Sequence, residues 1–256
     1  MGSVIPLKKE INNSYLRLKN IVGNKLDDVS QRIKFKLASE INLIHKMTDY
    51  HVKSGGKRIR PLLTLVSAKL CGYKDGSRDV NLAACIELIH NATLLHDDVI
   101  DNSNLRRGIK TANSLWGNQS SILVGDYLFS RCFEMMVEDG SQEILKLLSS
   151  TSSRIAQGEV LQLEHRGEVD LLEETYFNII SMKTAALFAA ATKVGACLGE
   201  RSKKEKDALE SYGKNLGLAF QIADDALDYF SSSTIFGKEI GKDFYEGKTT
   251  LPLIII

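Results

Sequence analysis

Proline stands at only three of the 256 positions, Pro6, Pro61 and Pro252, so the strongest breaker of helices is missing from almost the whole chain. Apolar residues recur at spacings of three and four over Ile11 to Thr48, Leu62 to Leu70, Val80 to Leu95, Ser120 to Val137, Glu143 to Leu163, Leu172 to Leu198 and Glu205 to Phe230. No stretch alternates with the period of two that a sheet needs. Turn-forming residues mark breaks at Ser54-Gly55-Gly56, Gly72 to Ser77, Asn102 to Gly108, Asp139 to Ser141, Arg166 to Val169 and Ser231 to Gly241. None is long or polar enough to separate two domains. The expected fold class is all-α, one domain over residues 1–256. Three of the runs, Val80 to Leu95, Leu172 to Leu198 and Glu205 to Phe230, are apolar on more than one stripe, which predicts central helices around a cavity.

Composition excludes several partners. The formal net charge is +1, so no global field recommends nucleic acid or an anionic membrane. Cys71, Cys85, Cys132 and Cys197 are scattered in apolar stretches without a Cys-x-x-Cys pair, which fits a reducing, cytoplasmic setting. No apolar run reaches the roughly 20 residues of a membrane span, and Met1 to Ile11 lacks a signal-peptide core.

Chemistry enters with a repeated pattern, Asp97-Asp98-Val99-Ile100-Asp101 and Asp224-Asp225-Ala226-Leu227-Asp228, each ending one of the central helical runs. Residues four apart share a helix face, so Asp97 stands beside Asp101 and Asp224 beside Asp228. Like charges at that spacing cost an isolated helix about 0.2–0.5 kcal/mol per pair, and more where apolar neighbours exclude water. A divalent cation offsets them, and Mg²⁺ suits carboxylates combined with substrate phosphates. The bland alternative for each copy alone is a solvated acidic helix end; two copies in matching contexts disfavour it.

Basic groups stand in Gly55-Gly56-Lys57-Arg58-Ile59-Arg60-Pro61 and in Arg106-Arg107-Gly108, where glycines admit close backbone approach and guanidinium forks match phosphate oxygens. Taken with Gly158-Glu159-Val160-Leu161-Gln162, Lys183-Thr184-Ala185, Phe220-Gln221-Ile222-Ala223 before the second acidic cluster, and Gly237-Lys238 through Gly247-Lys248-Thr249-Thr250-Leu251-Pro252, these motifs resemble the trans-type polyprenyl diphosphate synthases. The resemblance implies a homodimeric isoprenoid-synthase bundle that condenses an allylic diphosphate with isopentenyl diphosphate, using two or three Mg²⁺ ions per active site. It implies that Asp97, Asp101 and Asp224 hold metal, supported by Asp98, Asp225 and Asp228. It places Lys57, Arg60, His90 and Arg107 at the isopentenyl diphosphate, and Arg106, Lys183, Thr184, Gln221, Lys238 and Lys248 at the allylic diphosphate.

Glu87-Leu88-Ile89-His90 also fits the Glu-x-x-His pattern of di-iron bundles, but no second copy exists. His90 as an ordinary half-buried histidine is the alternative, and His96 is expected to orient a carboxylate. One turn below the first acids lie Ala92 and Thr93, both small. In this family a bulky aromatic there resembles the short-chain enzymes, so an open tunnel is expected, with Ile89, Phe133 and Met136 as candidates for its floor. A medium or long product follows from the resemblance, around heptaprenyl to decaprenyl and suited to a quinone side chain. A farnesyl or geranylgeranyl primer fits, and a geranylgeranyl or shorter product is the alternative. The apolar ending Leu253-Ile254-Ile255-Ile256 reads as an interrupted helix, so a truncated chain is expected, and a non-catalytic subunit of a heteromeric synthase is a rival. A terpene cyclase is disfavoured because the second cluster is aspartate throughout.

Overall fold

Gly23 and the turn at 37–41 cut the first predicted run into three helices, α1 (Leu7–Val22), α2 (Lys25–Lys36) and α3 (Asn42–Lys53). Gly23 takes a φ of +57°, a left-handed conformation that a glycine reaches without the Cβ penalty of other residues. The apolar spacing runs on through both turns, so periodicity alone does not separate the helices. The computed structural model describes residues 7–53, 55–74, 76–106, 108–230 and 241–256. The helices that follow are α4 (Ile59–Leu70), α5 (Arg78–Ile100), α6 (Ala112–Trp116), α7 (Asn118–Asp139), α8 (Gln142–Glu164), α9 (Glu173–Ile180), α10 (Ala186–Leu198), α11 (Lys203–Phe230), α12 (Lys242–Tyr245) and α13 (Leu251–Ile254).

The fold is all-α. One departure from the expectation of no sheet is a two-residue antiparallel ladder, β1 (Leu105–Arg106) with β2 (Ile109–Lys110), in the loop after α5. A second is a π turn, Ser181–Ala185, that joins α9 to α10. The break predicted at Ser231 to Gly241 lies outside the described residues except for Gly241.

Helix α5 is central, as its sequence predicts: every residue from Leu82 to Ile89 is buried, Glu87 included. Helix α7 runs antiparallel beside it. Ser121 donates to the Leu95 carbonyl (2.8 Å) near one end of this pair. Lower down, the Cys85 and Cys132 thiols each donate to the other's carbonyl at 3.7 Å. On the other side α10 packs between α4 and α11, with Ala186 to Thr192 all buried. Each fully buried Leu or Ile in this core contributes about 1.5–3 kcal/mol. Close approach of α11 depends on Gly217, where a Cβ would stand 2.6 Å from Ala185 Cα.

The continuous helix Glu173–Leu198 is long and apolar enough to cross a membrane by length and composition, which the apolar runs of the sequence do not disclose. Its most apolar window is 78% buried inside the bundle, so packing accounts for its composition.

Candidate active site

Both acidic clusters end long helices, and the loop carrying α12 and α13 connects them. At the end of α5, Asp98 is buried and accepts from Arg106 on β1, through Nε at 2.9 Å and Nη2 at 2.8 Å. The short ladder thus sets the arginine opposite the acid. Asn113 Nδ2 and Ser103 N donate to the Asp98 carbonyl at 3.2 and 2.9 Å, tying off the helix end. Asp101 accepts from Lys248 Nζ at 2.8 Å, and the same ammonium donates to Glu246 at 2.8 Å. Burial pulls Lys248 down, yet Asp101 and Glu246 outweigh it and hold its pKa above the usual lysine range. Asp97 is pushed up to about 7, first by burial and then by Glu159 and Asp101, against the opposing Lys183 and Arg106.

In the second cluster, Asp225 is buried on α11 with both oxygens occupied by neutral donors. The Tyr176 hydroxyl donates to Oδ2 at 2.6 Å and Gln221 Nε2 to Oδ1 at 2.8 Å. Burial raises its pKa against those two hydrogen bonds, with Asp224 and Asp228 adding to the rise. Asp228, also buried, accepts from the Asp243 backbone N–H at 3.1 Å. Asp243 is itself pushed up to about 7, by burial first and then by Asp228 and Asp225. Asp224 remains exposed.

Lys183 lies in the π turn and donates to Glu159 Oε2 at 2.9 Å and Gln162 Oε1 at 2.8 Å. Gly158 lets α8 come this close, since a Cβ there would stand 2.7 Å from Lys183 N. Thr184 donates to Gln221 Oε1 at 2.7 Å. A cavity of about 80 Å³ is lined by Lys183, Thr184, Gln221, Asp225, Asp243 and Lys248 together with Tyr176, Ile179 and Ile180.

The glycine-basic segment caps α4. Arg58 adopts a left-handed φ of +45°, a strained conformation for a bulky residue. Among the described residues, Arg58 Nη1 and Arg60 Nε are buried without a hydrogen-bond partner. Burial draws the Arg60 pKa down to about 10, with Glu87 opposing, and its guanidinium lies 4.5 Å over the Phe188 ring. Buried orphan guanidinium nitrogens are costly until an anion satisfies them. Lys57 is exposed, its carbonyl accepting from the Tyr15 hydroxyl at 3.0 Å, and His90 is half-buried.

Several expectations need correction or addition. His96 faces α7, where Nε2 meets the Ile122 carbonyl at 3.1 Å and the Asp126 carboxylate at 3.5 Å, so the carboxylate beside it belongs to α7 and not to either acidic cluster. Ala92, Ile89 and Met136 are buried and Thr93 is half-buried, but Phe133 is 48% exposed. The inward face of α7 is Val124, Leu128, Cys132, Met135 and Met136, and Phe133 stands about 100° from Cys132, pointing out. Lys238 and Arg107 lie outside the described residues. Tyr176, Asp243 and Arg58 are site residues that the sequence does not single out. Asp243 and Arg58 lie in stretches whose motifs already draw notice, whereas Tyr176 sits in an ordinary amphipathic helix, 49 positions from the acid it touches.

Among the described residues no three His, Cys, Asp or Glu side chains converge as a preformed metal cage. The donors nonetheless fit Mg²⁺, which typically takes one or two carboxylates and completes its shell with substrate phosphates and water. The buried central acids are engaged by protein, and Asp97, pressed by burial and by the nearby charges of Glu159 and Asp101, is a carboxylate that a cation would stabilise in its charged form.

The family model for polyprenyl synthetase matches residues 41–256. The chain belongs to the polyprenyl synthetase family. The chain is 43% identical over 238 residues to the octaprenyl diphosphate synthase of Escherichia coli (strain K12), covering 93% of the present chain and 73% of that one. It is likewise 43% identical over 226 residues to the geranyl-diphosphate-specific all-trans-nonaprenyl-diphosphate synthase of Rhodobacter capsulatus, covering 88% and 69%. A crystal structure of a polyprenyl synthase from Caulobacter crescentus CB15, complexed with calcium and isoprenyl diphosphate, superposes with a TM-score of 0.90 at 46% identity, covering 94% of this chain and 73% of that one. The reaction class is therefore that of a trans-prenyltransferase.

Proposed function

We propose that this prenyltransferase extends farnesyl or geranylgeranyl diphosphate with isopentenyl diphosphate to a medium or long all-trans polyprenyl diphosphate that supplies a quinone side chain. The observation that carries the reading is the pairing of two aspartate clusters with buried guanidinium nitrogens, Arg58 Nη1 and Arg60 Nε, that lack a partner at the start of α4. Arg58 and Arg60 offer charge-assisted hydrogen bonds to the diphosphate of isopentenyl diphosphate, with Lys57, His90 and Arg107 completing that site. Arg106, Lys183, Lys248 and Lys238 serve the allylic diphosphate.

Two or three Mg²⁺ ions, held by Asp97, Asp101 and Asp224, would supply Lewis-acid neutralisation of the leaving diphosphate. In the reaction the allylic carbon–oxygen bond breaks and its electron pair leaves with the diphosphate. Lys183 and Lys248 turn from their carboxylate partners toward that growing negative charge. The double bond of isopentenyl diphosphate then forms the new carbon–carbon bond at the allylic cation, and the proton lost in closing the product passes to the departed diphosphate. No protein base is assigned.

Relatives named for long and for short products match at similar identity, 43% and 42%, so overall similarity does not choose the length. The small Ala92 and Thr93 below the acids support the longer product. We further propose one domain and a homodimer formed on the outer face of α7, where Leu123 is 66%, Phe133 48% and Val137 65% exposed.

Incubation with farnesyl diphosphate, labelled isopentenyl diphosphate and Mg²⁺ tests the reading. A ladder ending at a defined long product is expected, shortened by Ala92→Phe and lost in Asp97→Ala and Asp224→Ala. A single short product would remove the length assignment, and no elongation at all would remove the catalytic one.

A further inference from the structure

Asp225 stands at the centre of the second acidic cluster, and two neutral donors hold it. One of them, Gln221, is a neighbour one turn away on α11. The other, Tyr176, comes from α9 and is 2% exposed, with its hydroxyl 2.6 Å from Oδ2. Gln221 also accepts from Thr184, so a chain of hydrogen bonds runs from Thr184 to Gln221 to Asp225 and is closed by Tyr176.

Both ends of that chain belong to one continuous helical segment, eight residues apart. In a regular α-helix two turns take about 7.2 residues, and residues eight apart diverge by about 80°. The wider π turn at Ser181–Ala185 takes up the excess, so that Tyr176 and Thr184 both face α11. The segment therefore grips α11 at two successive levels.

We infer that Tyr176 is a positioning residue of the prenyl transfer: its hydroxyl fixes Asp225, and through Asp225 it sets the orientation of α11 that presents Asp224 to the metal and Gln221 to Thr184. Tyr176 acts through the acid, without contributing a charge of its own. A neutral donor suits this place because it orients Asp225 while leaving the cluster's negative charge available to a cation. The inference rests on the proposed prenyl-transfer reading only for the kinetic part of its test.

The test uses the full chain carrying Tyr176→Phe, which keeps the ring and deletes the hydroxyl. Thermal unfolding is followed with inorganic diphosphate over a Mg²⁺ titration, alongside kcat and KM for isopentenyl diphosphate. The expected result is a Mg²⁺ midpoint for the diphosphate-induced shift raised about tenfold and kcat lowered about tenfold, as befits a lost hydrogen bond to a charged group, with KM for isopentenyl diphosphate unchanged. Tyr176→Leu should unfold at a lower temperature yet show the same Mg²⁺ midpoint as Tyr176→Phe. Combined with Asp225→Asn, Tyr176→Phe should add little further loss, because both act on one contact. An unchanged Mg²⁺ midpoint in Tyr176→Phe overturns the inference, as does a midpoint that follows ring removal or a fully additive double variant. Should the wild type bind diphosphate with Mg²⁺ but fail to elongate, the functional reading falls while the midpoint comparison still decides the role of Tyr176.

Discussion

The two acidic clusters are nearly interchangeable as sequence and are built differently in space. The central acid of the first, Asp98, is neutralised by a full cation, Arg106, delivered from a two-residue strand. The central acid of the second, Asp225, is held by a hydroxyl and an amide. The outer acid Asp101 also has a lysine beside it, whereas Asp228 receives a backbone N–H. In the first cluster the protein thus supplies counter-charges itself, and in the second it supplies orientation and leaves the charge standing. A repeated motif therefore need not mean a repeated electrostatic environment.

The largest effect expected from this contrast is catalytic. Asp97→Ala and Asp224→Ala should each reduce elongation by roughly 10²–10³-fold, the scale of losing one group that stabilises developing charge. Equal losses would mean that the clusters share the leaving diphosphate despite their different surroundings; a loss confined to one would end that equivalence. Product formation with labelled isopentenyl diphosphate measures it.

A smaller effect concerns folding. Asp98→Asn leaves Arg106 without its charge partner and should cost about 2 kcal/mol, less than a fully buried pair because the Arg106 side chain is 35% exposed. Asp225→Asn keeps an acceptor for Tyr176 or Gln221 and should cost about 1 kcal/mol or less. Urea melts of both variants decide whether the cationic and the neutral supports differ as described.

A further effect is the pH dependence without metal. Asp97 and Asp243 have folded pKa values raised to about 7 from an unfolded 3.8, so the folded chain binds these protons more tightly. Their stabilising contribution is complete below about pH 4 and is lost as pH rises through about 7. Thermal unfolding in chelator should show stability falling across that window, and Mg²⁺ with diphosphate should flatten the fall. Because Asp97 belongs to the first cluster and Asp243 packs on the second, Asp97→Asn and Asp243→Asn apportion the slope between them.

Much of this arrangement is legible in the residues. Helical period and scarce proline disclose an all-α chain, and the burial of Leu82 to Ile89 follows from a run apolar on all sides. Asp225, Lys183, Thr184, Gln221 and Lys248 do line one cavity, and Asp101 accepts from Lys248 beside it. What escapes the sequence does so for physical reasons. The turns that split the first run interrupt backbone hydrogen bonding but not apolar spacing. Phe133 shares its helix with core residues, and only the direction of α7's inward face, set by α5, turns it outward. Tyr176 carries no mark of its role because its partner lies on another helix. The π turn is a shift in hydrogen-bond pairing that no residue type announces.

That turn also governs which changes of length the chain tolerates. Removing one residue of the bulge, such as Met182, would restore a regular helix in which Tyr176 and Thr184, then seven apart, still lie within about 20° of one face. Tyr176 would stay facing Asp225, whereas a further deletion or an insertion would turn α9 by about 100° against α10 and swing Tyr176 off it. Loss of the one extra residue is therefore tolerable within this segment, while other changes of length are cheap only in the loops at its ends. When homologous chains are aligned, a one-residue gap between Tyr176 and Thr184 marks an enzyme whose segment is a regular α-helix, and a longer gap marks either an error of alignment or an enzyme that anchors its second acidic cluster by other means.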